Sequence, residues 1–133
     1  MQTKTIITSI LAIAIFAGVA VLLSTSGGNV KNDNQQVAGN VSLVGGKQII
    51  TINAKGGYMP RITTAKAGIP TVINVKTQGT FDCSSSITIP SLGYQNNLPP
   101  SGETAIDVPA QTAGTILRGL CSMGMYNFSI NFN

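Results

Sequence analysis

An all-β sandwich is the fold class this sequence predicts, and three observations predict it. From Lys47 to Asn133 the apolar residues come in short β-branched runs. Gly, Pro and Asn interrupt those runs roughly every 8–15 residues, the spacing of an antiparallel sandwich or small Greek-key barrel. No 3.6-residue apolar period appears in this stretch, so no helix of three turns is expected there.

The elements follow in order. Lys47–Asn53 is rich in Ile and Thr and reads as a strand, and Arg61–Lys66 reads as a second that runs into the Ala67–Pro70 turn. Thr71–Thr77 alternates cleanly, with Val72, Asn74 and Lys76 on one side and Ile73 and Val75 on the other. That period of two marks a strand with one buried face. Ser86–Ile89 is a short strand closed by Pro90. Glu103–Val108 puts Ala105 on one face and the Ile106/Val108 pair on the other. Gly114–Cys121 and Asn127–Phe132 complete the set. Tyr58 and Ile62 are expected in the core, Pro60 and Pro70 at edges or turns, and 91–102 as an irregular segment.

Two further regions precede this domain. Thr5–Leu23 is 19 residues long and carries no charge. As a helix it spans about 28 Å, close to the hydrocarbon thickness of a bilayer. Secretory signal cores are shorter and end in a small-x-small site, for which Ser24–Ser26 is a poor match. A retained single-pass anchor over residues 1–23 is therefore expected. Lys4, the one charge ahead of the apolar run, keeps the N-terminus inside and everything after Leu23 outside the cytoplasm. Residues 24–46 are polar and glycine-rich and read as a flexible tether, in which Val41–Val44 has the composition of a short extra strand. Residues 47–133 form one small domain.

Composition excludes much chemistry. There is no histidine. This removes Ser-His-Asp and Cys-His catalysis, His-containing zinc sites and the two-His blue-copper centre. Asp33, Asp82, Glu103 and Asp107 are the only carboxylates, too scattered for a two-carboxylate hydrolase. No enzyme is expected. The net charge of +4 comes from dispersed Lys and Arg, without the clustering that nucleic-acid binding requires.

Two cysteines remain. Cys83 and Cys121 are too far apart in sequence to be a CxxC motif. In an exported domain they read as a disulfide, or as a pair of thiolates. Met123 and Met125 follow Cys121 at +2 and +4, with Gly124 permitting a tight bend. Thiolate and thioether are soft donors that select Cu(I). The competing role for the two methionines is core filling. Asp82 either orients Cys83 by a hydrogen bond or simply makes a turn.

The segments Gly57–Ile62, Ala67–Val72, Asp82–Ser84, Ile89–Gly93, Leu98–Thr104 and Cys121–Tyr126 resemble the bacterial cupredoxin-like domains of copper and heavy-metal handling proteins. The resemblance spans nearly all of 47–133 and implies a Greek-key β-sandwich. It also implies a metal site with one ligand on a central strand, Cys83, and the others on the last loop: Cys121 and the thioether of Met123 or Met125. Plastocyanin and azurin are distantly similar, but their imidazole ligands have no counterpart here. The expected function is a membrane-tethered, extracytoplasmic Cu(I)-binding module for storage, sensing or delivery, with a copper donor or acceptor protein as partner. A disulfide-stapled structural or protein-interaction domain is the alternative, and an electron-transfer cupredoxin a minor variant.

Overall fold

The structure, a computed structural model, describes residues 39–133. The expected anchor and the tether up to residue 38 lie outside the described residues. Ten strands follow one another: β1 Val41–Val44, β2 Lys47–Ala54, β3 Tyr58–Met59, β4 Ile62–Ala65, β5 Thr71–Gln78, β6 Ser86–Ile89, β7 Tyr94–Asn97, β8 Ser101–Val108, β9 Ile116–Leu120 and β10 Asn127–Phe132. The described helical segments are two single 3-10 turns, Cys83–Ser85 and Pro90–Leu92.

The strands form two sheets, ordered β1-β2-β5-β8, with β3 beside β2, and β4-β10-β9-β6-β7. The period-two reading holds where it was sharpest. Ile73 and Val75 of β5 and Ile106 and Val108 of β8 point into the core, and β5 and β8 pair antiparallel in a register that sets Ile73 beside Ile106. The second sheet answers with Ile87 and Ile89 of β6 and with Phe128, Ile130 and Phe132 of β10. Stacked faces of β-branched and aromatic side chains are how a sandwich removes apolar area from water.

Four expectations need correction. The pairing is mixed: β2 runs parallel to β5, and β4 parallel to β10. The chain leaves the first sheet after β3, lays down β4 in the second, then returns for β5. A strand re-entering after such a crossover arrives parallel to its neighbour. Ile62 is not core; it opens β4 facing solvent and is 67% exposed. The 91–102 segment is not irregular, because Tyr94–Asn97 pairs antiparallel with β6. Its polar sequence, YQNN, fits an edge strand wetted on its outer side. Finally, the folded unit starts earlier than Lys47. Val41 is buried, β1 pairs with β2, and Asn40 donates from Nδ2 to Thr51 O at 3.1 Å and Thr63 Oγ1 at 2.9 Å.

Two local features hold the sheets in register. Gln48 is fully buried, yet its amide donates to Thr71 Oγ1 at 3.0 Å and accepts from Lys66 N–H at 2.9 Å. That satisfies a polar group whose burial is otherwise costly. Gly119 of β9 lies opposite Phe128 of β10, and a Cβ there would overlap the Phe128 ring. Glycine at 119 is what lets the aromatic ring lie flat across the neighbouring strand.

Candidate metal centre

Three loops converge at one end of the sandwich: 55–57, 79–85 and 121–126. Asp82 ties the first two together. Its carboxylate accepts from Gly56 N–H at 2.8 Å and Ser84 N–H at 2.7 Å, so it caps the 3-10 turn that carries Cys83. The Ser84 hydroxyl, the Ser84 N–H and the Gly56 N–H together hold the Asp82 carboxyl below the usual carboxylate range. Asp82 thus makes the turn rather than contacting the sulfur.

Cys121 follows directly on β9 and is fully buried. Its N–H donates to Tyr126 O at 3.0 Å, and its carbonyl accepts from Gly124 N–H at 2.9 Å. Gly124 sits at φ +70°, in the left-handed region where glycine carries no Cβ penalty. The loop therefore closes on itself in six residues. It leaves the Tyr126 N–H aimed at Cys121 Sγ, 3.4 Å away. Hydrogen bonds link this loop to the Cys83 turn: the Ser86 and Ser122 hydroxyls meet at 2.9 Å, and Ser122 N–H donates to Ser86 Oγ at 3.2 Å. Tyr58 supports the floor by donating its hydroxyl to Ser86 O at 2.6 Å. Burial, aided by the negative charge of Asp82, pushes the Tyr58 phenol up to about 12, so it stays a neutral donor.

Cys83 and Cys121 are bonded as a disulfide, with Cα atoms 5.9 Å apart. The two sulfurs singled out in the sequence therefore meet. Cys83 does not lie on a central strand, as the resemblance implied, but in the turn ahead of β6. Met123 and Met125 take no part in the core: they are 76% and 66% exposed on the same loop as Cys121. Core filling is thereby removed as their role, and both thioethers are left free at the sulfur end of the domain. Among the described residues no three His, Cys, Asp or Glu side chains cluster; the soft donor atoms at this end of the domain are the sulfurs of Cys83, Cys121, Met123 and Met125. Reduced, Cys83 and Cys121 present two thiolates from linked turns, and the exposed methionines add thioethers from the adjacent residues. Such a set suits a soft monovalent ion.

Sequence reasoning identified the four sulfur residues but missed the scaffold around them. Ser86, Ser122 and the Tyr126 N–H have no sequence signal, because their roles arise from which turns the sheets bring together.

A family model described as Cupredoxin-like domain matches residues 13–129. The chain belongs to the cupredoxin-like domain family. Two solved structures place it among similar folds. One is the metal binding domain of the Streptococcus pneumoniae Cu(I) exporting P-type ATPase CopA, solved with Cu(I). It is 26% identical, with a TM-score of 0.62, over 70% of this chain and 92% of that one. The other is a copper binding protein solved by NMR in the apo form, 24% identical with a TM-score of 0.63, over 70% of this chain and 94% of that one. It shares the fold. No match appears among curated proteins. Within the cupredoxin-like family this domain stands apart from the two-His copper centres, since it has no histidine to offer.

Proposed function

We propose that this cupredoxin-like protein is a membrane-tethered, extracytoplasmic module that takes up one Cu(I) ion and stores it, delivers it or reports it. The ion is cargo, held by Cys83, Cys121 and the thioether of Met123 or Met125. The observation that carries this reading is the convergence of both cysteines on one end of the domain, with both methionines solvent-exposed in the same loop. The likeness to a Cu(I)-loaded metal binding domain supports it. Two thiolates and a thioether stabilise the reduced ion, and without imidazole fast cycling to Cu(II) is disfavoured. Storage or transfer is therefore favoured over electron transfer. The role is binding rather than catalysis: Asp82, the carboxylate beside Cys83, is engaged by the Gly56 and Ser84 N–H groups, and the chain has no histidine to activate a thiol. A copper donor or acceptor protein would complete the path, and the apolar Thr5–Leu23 segment supplies the membrane attachment.

Copper uptake needs the thiols, so the disulfide must first be reduced by a thiol or dithiol reductant. The decisive experiment is a competition titration of the reduced protein against a Cu(I) chelator, alongside a Cys83→Ser, Cys121→Ser variant. Stoichiometric uptake by the wild type alone, without an intense blue absorption, is the expected result. Equal binding by the two proteins would overturn it. The Cys83–Cys121 disulfide itself favours a second reading, in which the bridge staples a structural or protein-interaction domain. That reading expects no free thiols in protein purified without reductant and no copper uptake after reduction.

A further inference from the structure

The outer face of β4, β10 and β9 carries a groove of about 590 Å³, which reaches at Leu120 and Asn127 to the two ends of the 121–126 loop. The chain has two arginines, Arg61 and Arg118, and both line this groove. Neither forms an ion pair among the described residues, where the ion pair found joins Lys76 to Glu103. The second sheet carries no Asp or Glu on any of its five strands; Glu103 and Asp107 lie on β8 in the other sheet, and Asp82 lies in a loop. The β4-β10-β9 face is thus free of acids and holds both guanidinium groups, while on the first sheet Lys47 and Lys76 offset Glu103 and Asp107.

The register fixes what lies between them. Ser129 of β10 pairs with Ile62 on one side and Arg118 on the other, and Asn131 pairs with Thr64 and Ile116. Ile62 and Arg118 therefore stand roughly 10 Å apart, two strand spacings. Ile62 is 67% and Ile116 55% exposed, so two large apolar side chains project beside the arginines. Asn127, Ser129 and Asn131 add polar groups along the floor. Planar guanidinium forks match phosphate oxygens two at a time, which lysine cannot do. Exposed isoleucines flanking such forks suit an interface with headgroups on one level and acyl chains on the next.

We propose that this groove binds the phosphate groups of anionic phospholipid headgroups and lays the β4-β10-β9 face on the membrane surface. The inference deepens the tethered-module reading and rests on it. The first described residues reach the β4 edge of this sheet: Asn40 is hydrogen-bonded to Thr63 of β4, on the side turned away from the groove. Residues 24–38 separate the apolar Thr5–Leu23 segment from Gly39, and a random coil of that length would span on the order of 20 Å. Docking in this way would orient the sulfur end, since Arg61 and Asn127 also line the small pocket that contains Met125 and Tyr126.

The test uses the full chain, copper-free, in nanodiscs of phosphatidylglycerol doped with a lipid bearing a gadolinium chelate. Relaxation enhancement of backbone amides is then read by NMR. Enhancement confined to β4, β9 and β10, sparing β5 and β8, is expected. With Arg61→Gln and Arg118→Gln together, the ratio of docked to free domain should fall roughly thirtyfold, the screened attraction of two basic residues for an anionic surface. Unchanged amide shifts elsewhere would show that the variant keeps its fold. Equal enhancement in phosphatidylcholine discs, or enhancement spread over both sheets, would overturn the proposal. So would inorganic phosphate moving the same amides while anionic discs leave them alone, because the ligand would then be the free ion. Concentration-dependent broadening of these amides without lipid would assign the face to a second copy of the chain and equally refute it. A chain that fails to stay in the disc would refute the anchor instead; the groove is then tested with free vesicles of the same lipid. Copper-free protein keeps every outcome independent of metal binding.

Discussion

Reducing the Cys83–Cys121 disulfide should cost the domain much of its stability, and Cu(I) should return part of it. The bridge closes a loop with a sequence separation of 38. On the chain-entropy estimate, that loop constrains the unfolded state by about 4 kcal/mol. The folded state need not change much on reduction, because Cys121 keeps its main-chain bonds to Tyr126 and Gly124. For a domain of this size about 4 kcal/mol corresponds to a fall in Tm of roughly 15–30 °C. A small domain has only about 5–10 kcal/mol to lose, so the reduced apo protein sits near its stability limit. If Cu(I) binds the folded dithiol state, as proposed, a free concentration 100 times Kd restores about 2.7 kcal/mol. Differential scanning calorimetry of oxidised, reduced and reduced copper-loaded protein measures all three states. A reduced apo Tm within about 5 °C of the oxidised value would refute the loop-entropy reasoning. A reduced Tm unmoved by Cu(I), at concentrations where the metal remains in solution, would refute the metal site.

Three other outcomes are expected. Replacing Met123 and Met125 together by Leu should leave thermal stability within about 0.5 kcal/mol, because both side chains are exposed, while Cu(I) affinity falls in chelator competition. Gly119→Ala forces its methyl group against the Phe128 ring and should cost about 1–3 kcal/mol in urea unfolding, the usual range for overpacking. Asp82 has its folded pKa lowered by its hydrogen bonds with Ser84 and Gly56. Its contribution is therefore present above the unfolded carboxyl value near 3.9 and is lost as pH falls through the lower folded value. Asp82→Asn should reduce stability at neutral pH and flatten the acid limb of the stability profile, as followed by circular dichroism against pH.

The strands with strict alternation were legible because their burial pattern is written locally: Ile73 and Val75 face inward whatever their partners. Parallel pairing of β2 with β5 was not, since it depends on where the chain travels between strands. Ile62 illustrates the same limit. An isoleucine at a strand start reads as core, yet one residue of phase decides which face it takes, and here Thr63 and Ala65 turn inward instead. Tyr94–Asn97 escaped detection because an edge strand needs little apolar content to pair. At the sulfur end the residue types were visible and the geometry was not. Cys83 and Cys121 advertise themselves by chemistry, whereas the Tyr126 N–H and the Ser86–Ser122 link exist only once two turns have been brought together.

The place of β10 within its sheet has a consequence for the order of assembly. It is the last of the described strands to be synthesised, yet it sits between β4 and β9 rather than at an edge. Until β10 emerges, β4 has no partner in its sheet, and the core lacks Phe128, Ile130 and Phe132. Contacts of such long sequence separation form slowly, so the second sheet stays open at β4 until β10 has been made. Cys121 emerges only shortly before β10. The turn before β6 and the loop after β9 carry the two cysteines, and β6 pairs directly with β9, so the thiols can meet before β10 completes the sheet.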